Sequence, residues 1–161
     1  MTDGQPDGRP VTGHVLVVGS VNSDVTIRVP RFPAPGETLF GTSVTQGLGG
    51  KGANQAVAAA RAGARTGLLA TVGDDADGAA LRSALAQLGV VTDLVGVADD
   101  QPTGRAHITV DDQGQNSIVV LTGANAATTP GRLAPGTVAD ADVVVVPVSY
   151  THLTLPTNRE V

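Results

Sequence analysis

Gln46-Gly-Leu-Gly-Gly-Lys-Gly-Ala-Asn-Gln-Ala56 places Gly47, Gly49, Gly50, Gly52, the chain's sole lysine (Lys51) and Asn54 at the mouth of a helix-forming segment. Such glycines let backbone N–H groups come close to a ligand. A helix N-terminus favours oxygen-rich or anionic groups. Two familiar loops fail here. A P-loop needs a first glycine where Thr45 stands and Ser or Thr after the lysine, where Gly52 stands. Gly47-x-Gly49-x-x-Gly52 matches a dinucleotide fingerprint literally, but that motif needs a buried apolar strand just before it, and GTSVTQG is not one.

A second polar group follows the first apolar run. Asn22 and Asp24 are two residues apart in Gly19-Ser-Val-Asn-Ser-Asp24. A carboxylate can accept from two vicinal hydroxyls, and an amide both donates and accepts. The same residue types also punctuate strand ends, so spacing alone leaves both roles open. Lys51 alone could be a solvated charge, and Asn54 a helix cap. Asp74, Asp75 and Asp77 read as capping and dipole-complementing residues of a following helix rather than a metal cluster. His14, His107 and His152 are far apart and there is no cysteine, so neither a zinc site nor a thiol nucleophile is expected. No chemistry is assigned to His107.

These residues need a scaffold, and the composition supplies one. The chain has 161 residues, 41% of them hydrophobic and 16% charged, which suits one domain with a core. A net charge of −5 argues against nucleic-acid or anionic-membrane partners, and 2% aromatic residues give no stacking platform. No apolar run is long enough to span a membrane. The N-terminal residues show no apolar signal segment, so a cytoplasmic setting is expected, with residues 1–13 as a flexible tail.

Along the chain, His14–Val21 reads as a buried strand. The prolines Pro30, Pro33 and Pro35 forbid a helix after it, and short strands are expected around Glu37–Phe40 and Ser43–Gln46. Ala53–Ala62 predicts a helix ended by Gly63, and Thr66–Val72 a second buried strand. Asp75 or Asp77 should cap a helix with Leu81, Leu85 and Leu88 on one face, ended by Gly89. Val90–Val97 holds another strand. Arg105–Asp111 and Gln115–Thr122 flank hairpin chemistry at Asp112-Gln-Gly114. Ala141–Val146 is the last apolar strand. Alternating strands and helices predict an α/β fold with a parallel sheet. The alternating apolar residues Ile108, Val110, Ile118 and Val120 are expected to serve lid packing or a dimer contact.

From position 148 the composition changes abruptly. VSYTHLTLPTNREV resembles the translation of a transposase-type sequencing adapter, and residues 148–161 are expected to be a non-native tail.

The glycine loop also resembles the first signature of the ribokinase family of sugar and nucleoside kinases, carried by Gly49-Gly50, Gly52, Asn54, Ala56, Gly63 and Gly73. The longer string GGKGANQAVAAARAGA is similar to the ribokinase branch, because related fructokinases and nucleoside kinases vary at Lys51 and Gln55. Gly19–Asp24, Phe32-Pro-x-Pro-Gly-Glu37-Thr38, Gly73-Asp-Asp75, Thr103-Gly104 and Gly123-Ala-Asn125 agree with it in order. The resemblance covers residues 14–147. It implies the N-terminal part of a three-layer αβα sandwich with a small β lid (about 37–46 and 105–122), stopping before the ATP-binding half. It implies that Asn22, Asp24, Gly49, Gly50, Lys51 and Asn54 bind a sugar. The implied reaction transfers the ATP γ-phosphoryl group to O5 of ribose, with Mg²⁺ and a monovalent cation such as K⁺, in a homodimer paired through its lids. Another pentose or a nucleoside is the nearest alternative substrate. A non-catalytic half-domain that binds sugar or pairs through its lid is the alternative of another class. The family's base lies in a Gly-Ala-Gly-Asp run that this chain lacks, and a family glutamate near the sugar would fall near Ser149. No catalytic residue is therefore assigned, and the chain by itself is expected to be inactive.

Overall fold

The computed structural model describes residues 13–133 and 135–147. The expected tails, 1–13 and 148–161, lie outside these residues except for Gly13. Two sheets organise the chain. The first has the order β5-β4-β1-β9, with β6 beside β4 as well. Its members are β1 (His14–Val18), β4 (Arg65–Gly73), β5 (Val90–Val91), β6 (Val95–Ala98) and β9 (Val143–Val145). All these pairings are parallel. Leu68, Leu69, Ala70 and Val72 of β4 are fully buried, as a strand covered on both faces requires.

Side-chain alternation splits the core. Val17, Leu68, Ala70 and Val72 face helices α1 (Lys51–Arg61) and α2 (Ala76–Gln87), meeting Ala53, Ala56, Leu81 and Leu85. Leu16, Val18 and Leu69 face the other way and meet Leu94, Leu133 and Ala141. Both helices stop as their sequences predict. Gly63 and Gly89 follow the last turns with φ of +94° and +85°, a conformation that glycine adopts without strain. Asp75 caps α2, accepting from the Gly78 N–H at 2.7 Å.

The second sheet has the order β3-β2-β7-β8. It comprises β2 (Asn22–Arg28), β3 (Ser43–Gly49), β7 (Arg105–Val110) and β8 (Asn116–Leu121). The β7–β8 hairpin forms where expected. The Asp111 carboxylate accepts from the N–H groups of Gln113 and Gln115, each at 2.9 Å, and Gly114 takes φ +79°. Gly123–Ala127 and Pro130–Arg132 are 3₁₀ turns, and Pro135–Ala139 is a short helix, α3.

Three expectations are corrected. The first strand ends at Val18, and Asn22 opens a separate strand, β2, at the centre of the lid. A polar Asn-Ser-Asp start masked it, because its hydrogen bonds come from β3 and β7 rather than from a local apolar pattern. Glu37–Phe40 is not a strand. There Arg31 pairs with Glu37 at 2.5 Å around a proline-rich turn, and Glu37 also accepts the Ala34 N–H. The arginine and that N–H hold the Glu37 carboxyl down to about 2. The lid's first segment also extends past Gln46 to Gly49. A strand does precede the glycine loop, but it is an exposed lid strand and not the buried parallel strand of a dinucleotide site.

Helix α1 docks against the β1–β2 connection by direct backbone contact. A Cβ on Gly52 would lie 2.5 Å from the Gly19 carbonyl carbon and 2.7 Å from the Ser20 nitrogen. The Ala53 N–H donates to the Ser20 carbonyl at 3.0 Å across the same contact. Gly52→Ala should therefore lower unfolding stability by about 1–3 kcal/mol, the usual cost of overpacking. Urea denaturation monitored by circular dichroism measures it, and an unchanged midpoint would show that the contact yields easily.

Candidate functional site

The start of β2, the start of α1 and the hairpin β7–β8 enclose a cavity of about 300 Å³. Ser20, Asn22, Asp24, Gly50, Lys51 and Asn54 give it a polar wall. Ala106, Ile108, Ile118 and Val120 give it an apolar one. Local structure explains the convergence. Asn22 and Asp24 are two apart on a strand and share a face. Lys51 and Asn54 are three apart in the first helical turn and are neighbours on its surface. Gly50, at φ +91°, turns the chain from β3 into α1. A Cβ there would lie 2.6 Å from the Ser20 carbonyl oxygen.

Five of the six expected binding residues therefore line one cavity. Gly49 is absent from that lining. It sits opposite Asn22 in the β2–β3 ladder, and any side chain there would fall on the Asp24 carboxylate. It is buried and leaves room for that carboxylate.

Asp24 is the unusual group. Its Oδ1 is buried and has no hydrogen-bond partner among the described residues. Burial pushes its carboxyl up from the ordinary aspartate value, because desolvation penalises the charged form. A buried acceptor left unpaired costs about 1–3 kcal/mol, so the position suits a ligand donor.

Many neighbouring polar groups bond to protein, although Arg105 Nε is buried without a partner among the described residues. The Asn125 amide accepts the Val21 N–H at 2.9 Å and donates to the Val21 carbonyl at 3.0 Å. It also donates to Asn22 Oδ1 at 2.8 Å. Asp75 accepts the Thr103 N–H at 2.8 Å and its hydroxyl at 2.6 Å, while that hydroxyl accepts the Gly73 N–H at 3.0 Å. Burial pushes the Asp75 carboxyl up, but these bonds, with the Gly78 N–H and the Arg105 charge, hold it below its ordinary value. Asp77 does not cap the helix. It pairs with Arg105 at 2.5 Å and accepts from Gln46, which also reaches Ser23. Both lid strands β3 and β7 are thereby tied to α2.

The sequence reading kept Ile108, Ile118 and Val120 for packing or a dimer contact, and the structure turns them toward the polar wall. Their placement depends on the register Ile108↔Ile118 across a hairpin whose lid partner, β2, was unread. Asn125 was legible only as part of a motif, since its partners are 103 and 104 residues away. Among the described residues no group of three or more His, Cys, Asp and Glu could hold a metal. His14 Nδ1 lies 2.8 Å from the Asp140 carbonyl, a structural contact, and His107 is exposed on β7. His152 and Ser149 lie outside the described residues.

Comparison with known proteins identifies relatives that share this fold. The chain is 46% identical over 111 residues to a ribokinase of Haemophilus influenzae, covering 69% of this chain and 36% of that protein. It is 44% identical to the Bacillus subtilis ribokinase over 117 residues, covering 73% and 40%. Among solved structures, Cryptococcus neoformans ribokinase in complex with ADP superposes with a TM-score of 0.71 at 40% identity, covering 83% of this chain and 42% of that one. Arabidopsis thaliana ribokinase complexed with ribose and ATP gives 0.72 at 34% identity, covering 84% and 45%. The chain thus spans less than half the length of these relatives. The family model for pfkB family carbohydrate kinases matches residues 12–156. With its parallel sheet, its lid and the glycine loop between them, the chain belongs to the pfkB family of carbohydrate kinases.

Proposed function

We propose that this chain carries the sugar side of an ATP-dependent ribokinase, which phosphorylates D-ribose to D-ribose 5-phosphate. The observation that carries this reading is the buried, unpartnered Asp24 carboxylate oxygen in a cavity shared with Asn22, Lys51 and Asn54. A pentose offers neighbouring hydroxyls to such an acceptor, and carboxylates form the stronger class of hydrogen bond. Asn22 and Asn54 add amide contacts, and Gly50 and Lys51 close the loop beside the sugar. Ile108, Ile118 and Val120 cover the ring and keep water from the reacting hydroxyl.

Phosphoryl transfer needs the donor, charge neutralisation and a base. ADP and ATP are bound by the Cryptococcus and Arabidopsis relatives, which supports ATP as donor. Among the described residues no group of three or more His, Cys, Asp and Glu could hold a metal, and Mg²⁺ and K⁺ enter the proposal by family likeness. A cytoplasmic setting fits ATP as donor. No helix among the described residues is long and apolar enough to cross a membrane.

Lid pairing into a homodimer belongs to the same proposal. On the lid face turned from the cavity, Ile27, Val44, Val119 and Leu121 are exposed, Val44 to 65% and Val119 to 61%. Sedimentation velocity should show a dimer that Val119→Glu converts to monomer. A wild-type monomer at tens of micromolar (on the order of the Kd of a weak dimer) would remove the dimer from the proposal.

Ribose titration of the 161-residue chain by ¹⁵N NMR tests the sugar reading. Shifts should centre on Asn22, Asp24, Gly50, Lys51 and Asn54. Asp24→Asn should weaken ribose binding by about 10- to 100-fold, the worth of hydrogen bonds to a charged acceptor. Its melting temperature should hold or rise, since no buried unpaired carboxylate remains. Wild-type shifts with a nucleoside and none with ribose would overturn ribose as the substrate.

A further inference from the structure

The geometry points to Asn125 as the residue that sets which end of the Asn22 amide a ligand meets. The Val21 N–H can donate only to an oxygen, so the Asn125 Oδ1 must face it, as it does at 2.9 Å. The Asn125 Nδ2 then faces the Val21 carbonyl and Asn22. The reversed amide would set N–H against N–H and oxygen against oxygen along the Val21 backbone. Asn125 is therefore oriented by main chain, independently of any ligand.

That orientation propagates. A donor from Asn125 at 2.8 Å requires Asn22 to turn its Oδ1 toward Asn125. The Asn22 Nδ2 remains as its other polar atom, and no described residue accepts from it among the hydrogen bonds of the site. Asn22 is 5% exposed and lines the cavity, so its amide meets a ligand as a donor. Asp24, two residues on, meets it as an acceptor. Gly104 makes the contact possible, because a Cβ there would lie 2.7 Å from Asn22 Oδ1 and on top of the Asn125 amide. Asn125 is a positioning residue, and the site selects a ligand with an acceptor oxygen at Asn22 and hydroxyl donors at Asp24. The identity of that ligand as ribose rests on the preceding reading, whereas the orientation does not.

Two measurements on the full chain test it. Without sugar, side-chain amide exchange by ¹⁵N NMR should find the Asn125 Nδ2 protons protected and those of Asn22 exchanging fast with water. The reverse order overturns the inference. With ribose, Asn125→Asp replaces the donor by an acceptor that draws the Asn22 NH₂ toward itself. The Kd should rise by about 10-fold or more in the wild-type background, and by no more than about twofold when Asn22 is already alanine, the signature of coupling. An equal loss in both backgrounds would reduce Asn125 to a scaffold residue and contradict the inference. A wild-type chain that binds no ribose would count against the sugar reading, and the exchange order alone would then decide the orientation.

Discussion

Backbone meets backbone where helix α1 begins, and the site depends on that contact. Gly52 packs on Gly19 and Ser20 at a distance that no side chain permits, and Gly50 turns beside the Ser20 carbonyl. The first helical turn is thereby pinned to the chain entering β2. Lys51 and Asn54 come from one side of this junction and Asn22 and Asp24 from the other. If the helix stood off by the width of a methyl group, the polar wall of the cavity would open. Glycines here do not serve flexibility. They let two rigid elements approach closely enough to share a ligand.

The lid is held to this junction by buried and half-buried polar ties. Asp75 takes three hydrogen bonds and joins the β4–α2 turn to the segment entering β7. Asp77 joins α2 to both β3 and β7 through Gln46 and Arg105. Asn125 joins the turn after β8 to the start of β2. These ties leave one of their own buried atoms, Arg105 Nε, without a partner among the described residues, and the rest of their bonds hold the lid in place. Asp24 also carries a desolvated oxygen that the protein leaves unpaired. Of the two buried side-chain atoms left unpartnered among the described residues, Asp24 Oδ1 is the one whose residue lines the cavity, where a ligand can relieve the cost.

Much of this was legible in the residues. Apolar β-branched runs located β1, β4 and β9, the glycines at 63 and 89 ended the helices, and Asp112-Gln-Gly114 located the hairpin. The glycine loop singled out Lys51 and Asn54. Strand β2 was not legible, because five of its seven residues are polar and its pairings Asn22↔Gly49 and Ser23↔Arg105 join residues 27 and 82 apart, beyond any local pattern. With β2 unread, the cavity-facing roles of Ile108, Ile118 and Val120 could not be separated from ordinary packing. Gly49 was read as loop beside a ligand, and the room it leaves for Asp24 follows from a cross-strand register that only the fold supplies.

The state of Asp24 can be read from its side-chain carboxyl ¹³C shift across pH, without and with D-ribose. Folding raises the pKa of this carboxyl, so the folded chain holds the proton more tightly than the unfolded one. Stability is then lost as pH rises from the ordinary aspartate value through the raised one. Hydroxyl donors from a bound sugar stabilise the ionised form and should bring the pKa back down. A raised value in the free protein that falls when ribose is added would establish an acceptor held in reserve for a sugar. An ordinary value that ribose leaves unmoved would contradict it.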